Sequence, residues 1–201
     1  NKQYGWNKFI IIVPSVAIRE GVKKSLETME EHFMSQYGKK ARYFIYDSKN
    51  LTKIDDFAKS NEINVMIINN QAFAKSLNED KNKEGRGGDK GALIIYSERD
   101  EFGSRKPIDV IAKTNPILII DEPQKSAGNV TQKAMKRFNP LFSVNYSATH
   151  KDKHNMVYVL DALDAYNQKL VKKIEVKGLE MKNLKGIDSY LYCEEIETSP
   201  T

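Results

Sequence analysis

Asp121 and Glu122 stand side by side at the end of the aliphatic run "PILII", and Pro123 turns the chain immediately after them. Four consecutive aliphatic residues suit a strand buried on both faces, and such a strand has no use for two adjacent carboxylates at its tip. Hydrolytic chemistry would use both. One carboxylate at a strand end can hold Mg²⁺, which prefers hard oxygen ligands and keeps part of its water shell. A second alongside can orient or deprotonate an attacking water. The plain alternative is a cap: one acid accepts from the amides of the next turn, with Pro123 in its first position. The doublet alone fits either account.

Three further polar clusters close apolar runs. Pro14, Ser15 and Arg19 follow "KFIIIV"; Asn69, Asn70 and Gln71 follow "INVMII"; Ser147 and Thr149, within "SATH", follow "LFSVNY". In a parallel α/β sheet, ligands bind beyond the carboxyl ends of the strands, so the four clusters are expected on one edge. Nucleoside triphosphatases keep their magnesium-holding acid at such a tip. Hydroxyls, amides and Arg grip phosphate without reading bases. Singly, each has a plainer role: Ser15 as a helix cap, Arg19 as a solvated first-turn residue.

The elements that must position these clusters are legible in the pattern. "NKFIIIVPS" (7–15), "RYFIY" (42–46), "INVMIIN" (63–69), "PILIIDE" (116–122) and "LFSVNYSAT" (141–149) are predicted strands. Val22, Leu26, Met29 and Phe33 recur at helical spacing, with Gly38 past the end. Further helices are predicted at 51–60, from 71, at 107–115, 131–138 and 157–170. Strand and helix alternate, which predicts an α/β fold: a mainly parallel sheet flanked by helices. "NEDKNKEGRGGDKG" (78–91) reads as a surface loop, and 171–201 as two more strands with no helix between. Tyr43, Tyr46 and Tyr146 fall inside strand patterns and read as core.

The 201 residues, 40% hydrophobic and 29% charged, suit one sizeable globular α/β domain with a core, or one domain and part of another. No apolar run approaches the roughly 20 residues of a bilayer span, so no membrane partner is expected. Cys193 stands alone, which excludes an intramolecular disulfide and points to a reducing, cytoplasmic setting. The net charge of +5 divides as +3 over residues 1–100 and +2 over 101–201, without a basic tail. His32, His150 and His154 lack the spacing of a zinc site, and Asp161 with Asp164 reads as a solvated helix face.

Taken in order, "VPSVAIREG", "NNQAF", "DEPQ" and "SATH" resemble the first RecA-like motor domain of superfamily 2 helicases. The spelling is similar to that of the restriction (Res) subunit of type III restriction–modification enzymes, over roughly residues 6–180. "DEPQ" departs from the commoner "DEAD" and "DEAH" forms of the acidic box. The resemblance implies that Asp121 holds the Mg²⁺ of Mg-ATP, Glu122 polarises the hydrolytic water and Gln124 senses the γ-phosphate. It implies that Ser147 and Thr149 couple nucleotide state to DNA, and that Pro14, Ser15, Arg19, Asn70 and Gln71 lie along the DNA backbone. ATP and Mg²⁺ are the implied cofactors; double-stranded DNA and a modification (methyltransferase) subunit are the implied partners. Two alternatives stay open: a motor of another superfamily 2 DNA or RNA helicase, and a non-catalytic nucleic-acid-binding domain.

Such a motor also needs a phosphate loop, GxxxxGK[ST], and the chain contains none; "EGRGGDKGAL" (84–93) has the glycines without the ending. The resemblance places that loop before "VPSVAIREG". It implies that residues 1–168 form a partial first motor domain lacking the phosphate-loop strand, and that 169–201 open a following β-containing segment. The piece is expected to be inactive alone, and its sheet to show an unfilled slot or an exposed apolar edge.

Overall fold

The structure, a computed structural model, describes residues 1–74, 94–126, 128–148 and 155–172. The chain divides into two compact units, Asn1–Asn155 and Met156–Thr201. In the first, five strands form one sheet: β1 (Lys8–Val13), β2 (Ala41–Ile45), β3 (Ile63–Asn69), β4 (Ile117–Asp121) and β5 (Ser143–Tyr146). Their order is β2-β3-β1-β4-β5, and every pair is parallel. The expected α/β class is thus observed, and the all-parallel, helix-flanked sheet is consistent with a RecA-like domain.

Register explains one face. Ile10 lies opposite Met66 and Leu118, Ile12 opposite Ile68 and Ile120, and period-two alternation sends all six to the same side. That side is closed by α3 (Thr52–Lys59), α4 (Gln71–Ala74), α5 (Pro107–Ala112) and α6 (Asn129–Lys136), numbered after α1 (Val16–Thr28) and α2 (Glu30–Tyr37). Ile54, Phe57, Phe73, Ile111 and Phe138 are fully buried there, and the Phe73 and Phe138 rings meet edge to face at 5.2 Å. The opposite face is covered unevenly: Val65, Ile67 and Ile117 are buried there, while Phe9, Ile11 and Ile119 are half-buried. The α1 helix packs chiefly on β3 and β2 and buries none of its residues.

Local details differ from the sequence expectation in three places. The helical run from Val22 through Phe33 is two helices, parted at Met29; the apolar spacing survives because a single non-helical residue separates them. Gly38 ends α2 at φ 66°, a left-handed position that glycine takes without a Cβ clash. Tyr46 is buried, but Tyr146 is 60% exposed, because β5 is an edge strand exposed along its whole length. Among the described residues the sheet is continuous from β2 to β5, and its exposed edge is β5. Among the described residues of the second unit, 157–160 are exposed and non-helical, and α7 (Ala162–Asn167) is the one helix. Asp161 and Asp164 are its capping box, each side chain accepting from the other's backbone N–H. Residues 78–91 and the strands expected beyond 172 lie outside the described residues. No helix among the described residues is long and apolar enough to cross a membrane.

Candidate functional site

Parallel strands put all their carboxyl ends on one edge, and here the order along that edge is β3, β1, β4, β5. Asn70 follows β3, Pro14 and Ser15 follow β1, Asp121 and Glu122 end β4, and Ser147 follows β5. Backbone bonds stitch neighbouring tips together. Asn70 N–H donates to Val13 O at 3.2 Å, and Glu122 N–H donates to Tyr146 O at 2.9 Å. The motif residues are therefore neighbours because of topology, although 52 positions separate Asn69 from Asp121 in the chain.

Glu122 has φ +52°, a left-handed conformation that costs a non-glycine residue roughly 1–2 kcal/mol. Several bonds hold it there. Besides the bond to Tyr146, its carbonyl accepts from Lys125 N–H at 2.9 Å, closing the 3₁₀ turn Pro123–Ser126. Its carboxylate accepts from Gln124 Nε2. Gln124 Oε1 in turn accepts from Ser147 Oγ at 3.0 Å. Glu122, Gln124 and Ser147 thus form one hydrogen-bonded line joining the tips of β4 and β5. Asp121 is half-buried beside it, and no hydrogen bond or ion pair engages its carboxylate among the described residues.

The donor set discriminates between metals. No group of three or more His, Cys, Asp or Glu capable of caging an ion occurs among the described residues. A single uncommitted carboxylate, with a second one next to it, is too sparse for a structural zinc or calcium site. It suits Mg²⁺, which takes one or two carboxylates and completes its shell with water and substrate phosphates.

At the β1 tip, Ser15 is the N-cap of α1: its Oγ accepts from Ile18 N–H at 3.3 Å. The plain reading of Ser15 is therefore realised. Arg19 is mostly buried at 22% exposure, with one amine 3.1 Å from Glu20 and its Nε buried without a partner. At the β3 tip, Asn70 O accepts from Ala74 N–H at 2.9 Å and starts α4, leaving Gln71 exposed. Tyr96 steadies that helix by donating to Phe73 O at 2.9 Å; burial pushes its hydroxyl pKa up to about 12, against the opposing pull of Arg137. Thr149 lies outside the described residues, as do His150 and His154.

The family model for type III restriction enzyme, res subunit, matches residues 1–152. The chain belongs to that family. Among Res-family relatives, the EcoP15I Res subunit of Escherichia coli is 33% identical over 87% of this chain. The EcoPI Res subunit of Escherichia phage P1 is 32% identical over the same share, and the StyLTI Res subunit of Salmonella typhimurium 25% identical over 88%. The chain spans about a fifth of the length of these relatives, 19–20%. The matched region holds every motif cluster, and with it the ledge formed by the tips of β3, β1, β4 and β5.

A cavity of about 320 Å³ lies at the other end of the strands, lined by Lys8, Ser60, Arg105, Lys113 and Thr114 among others. It does not compete with the Res-family ledge. Lys8 Nζ there donates to the carbonyl of Ser60, the C-cap of α3, so the amine completes a helix end rather than waiting for a ligand. Sequence reasoning found the ledge residues but gave no sign of the Glu122–Gln124–Ser147 line. Side-chain contacts 23 positions apart carry no local signature.

Proposed function

We propose that the chain is part of the motor of a type III restriction enzyme, coupling Mg-ATP hydrolysis to translocation or switching on double-stranded DNA before cleavage. One observation carries this: among the described residues no partner engages Asp121, which stands at the tip of β4 beside a Glu122 whose carboxylate is held by Gln124, itself bonded to Ser147 at the tip of β5. Bound Mg²⁺ would supply charge neutralisation for the phosphates, with Asp121 as its protein ligand. Glu122, held in a left-handed turn, presents a carboxylate of fixed direction to an attacking water. Gln124 stands between that carboxylate and Ser147, so a displacement of the β5 tip is felt at Glu122. Pro14, Ser15, Arg19, Asn70 and Gln71 occupy the neighbouring stretch of the ledge, where hydroxyl, amide and guanidinium groups suit a phosphodiester backbone. A modification subunit is the partner that such a Res chain would carry, and the cytoplasm the compartment.

The test is DNA-stimulated phosphate release by the full-length protein. Glu122→Gln keeps shape and hydrogen bonding but removes the base, and is expected to lower turnover about 10²–10⁴-fold. Asp121→Asn is expected to do the same and to raise the magnesium concentration needed for half-maximal rate. Full turnover surviving both substitutions would make the acids structural and overturn the reading.

A further inference from the structure

Halving the chain conceals where its charge sits. Residues 123–151 contain Lys125, Lys133, Lys136, Arg137 and Lys151 and no acidic residue at all. Five of the 32 basic residues and none of the 27 acidic ones fall there, so the rest of the chain carries 27 of each and is neutral. The entire net charge of +5 belongs to this one stretch.

The fold gathers most of it on one helix. Ala134, Met135 and Phe138 are buried on the inner side of α6 and its end. Asn129, Gln132, Lys133, Lys136 and Arg137 are exposed, at spacings of three, one, three and one, and share the outer face. That face is made only of amides and cations. Arg19, Arg42, Arg99 and Arg105 each have a carboxylate within ion-pair distance, whereas Lys133, Lys136 and Arg137 have none among the described residues. Complementing the helix C-terminus accounts for basic residues in its last turn. It does not account for the loss of every acid over 29 positions.

Position supplies the second argument. The inner side of α6 packs on α4, through Phe138 against Phe73. The guanidinium of Arg137 lies over the Tyr96 ring at 5.1 Å, and Tyr96 bonds the carbonyl of Phe73. The basic end of α6 therefore adjoins the short helix that begins with Gln71. An interfacial membrane helix would need large apolar residues at its solvent boundary, and the outer face of α6 has none. Lacking an aromatic or aliphatic anchor as well, the face is poorly suited to a protein hot spot.

We propose that the outer face of α6, through Lys133, Lys136 and Arg137, is a second contact surface for the phosphodiester backbone of duplex DNA. This rests on the DNA partner of the proposed function and adds a surface away from the strand-tip ledge. Backbone contact by cations and amides is independent of sequence, as a moving motor requires.

The experiment is DNA binding by the full-length protein across a salt series, using a random-sequence duplex. The triple variant Lys133→Gln, Lys136→Gln, Arg137→Gln removes three charges from exposed positions of good helix propensity; circular dichroism checks its fold. Three lost contacts should flatten the slope of log K against log [salt] by about 2 to 3 and weaken binding on the order of 10- to 100-fold at about 0.1 M salt. A control triple, Lys24→Gln, Lys40→Gln, Lys59→Gln, makes the same charge change at lysines that already have carboxylate partners. It should leave the slope nearly unchanged. Equal effects of the two triples, or an unchanged slope in the first, would overturn the α6 surface while leaving the ledge intact. A wild-type protein that binds no duplex DNA would overturn the DNA partner itself, and α6 with it.

Discussion

The two faces of the sheet are finished to different degrees. On one, Ile10, Ile12, Met66, Ile68, Leu118 and Ile120 are at most 5% exposed beneath four helices. On the other, Val65, Ile67 and Ile117 are buried, but Phe9, Ile11 and Ile119 are half-buried, Val144 and Tyr146 are exposed, and no residue of α1 is fully buried. Parallel sheets ordinarily bury both faces. The difference teaches where stability and chemistry are kept in this Res-family unit. The large buried cluster lies on one side, and cover on the other thins towards the β5 edge. The ledge is built from strand tips and turns, whose geometry is fixed by backbone bonds rather than by side-chain burial.

The largest expected effect tests that asymmetry directly. Phe138→Ala opens a void against Phe73 in the closed face and should cost about 3–5 kcal/mol. Leu26→Ala, on the half-buried side of α1, should cost less, about 1–2 kcal/mol, because part of that side chain stays in water. Urea denaturation of both variants measures the gap. Comparable losses would mean that the two faces contribute equally.

The strands were legible because parallel, doubly covered strands read as unbroken aliphatic runs, and β3 matches its predicted span, Ile63–Asn69, residue for residue. The ledge was legible for the same reason, since polar clusters that close such runs must share an edge once the strands are parallel. Tyr146 is exposed where its strand pattern implies core, because that pattern does not say whether the strand lies in the middle or at the rim. Helix expected at 157–160 failed on "VYVL", whose β-branched and aromatic residues carry apolar character without a helical stripe. The basic face of α6 is invisible in the charge of either half of the sequence, because acids elsewhere offset it.

A smaller effect separates the ledge from the packed face in sign as well as size. Glu122→Gly removes a side chain from φ +52° and should stabilise the fold by up to about 1 kcal/mol, in spite of the lost bond from Gln124. The same variant should lose hydrolysis in the full-length protein. A destabilised Glu122→Gly would show that the Gln124 bond outweighs the strain. Smaller still, Val144→Thr on the exposed edge should shift stability by less than about 0.5 kcal/mol, since it keeps β-branching and little area is buried there.

The smallest effect is a pH dependence at the closed face itself. Lys8 is 8% exposed at the start of β1, its amine donating to Ser60 O and lying 5.3 Å from the Phe57 ring. Desolvation there depresses its pKa below the usual 10.5. A lysine with a depressed folded pKa penalises the fold while both states are charged, at neutral pH. The penalty is relieved as pH rises through the folded pKa towards 10.5, because the unfolded chain then binds the extra proton. Wild type should therefore gain on Lys8→Met as pH rises towards 10.5, read as the difference in urea midpoints. Neutralising Lys24, 78% exposed on α1, should produce no such trend. A gap that stays constant or moves the other way would mean that the hydrogen bond to Ser60, not burial, governs Lys8, and that even the polar rim of the closed face escapes desolvation.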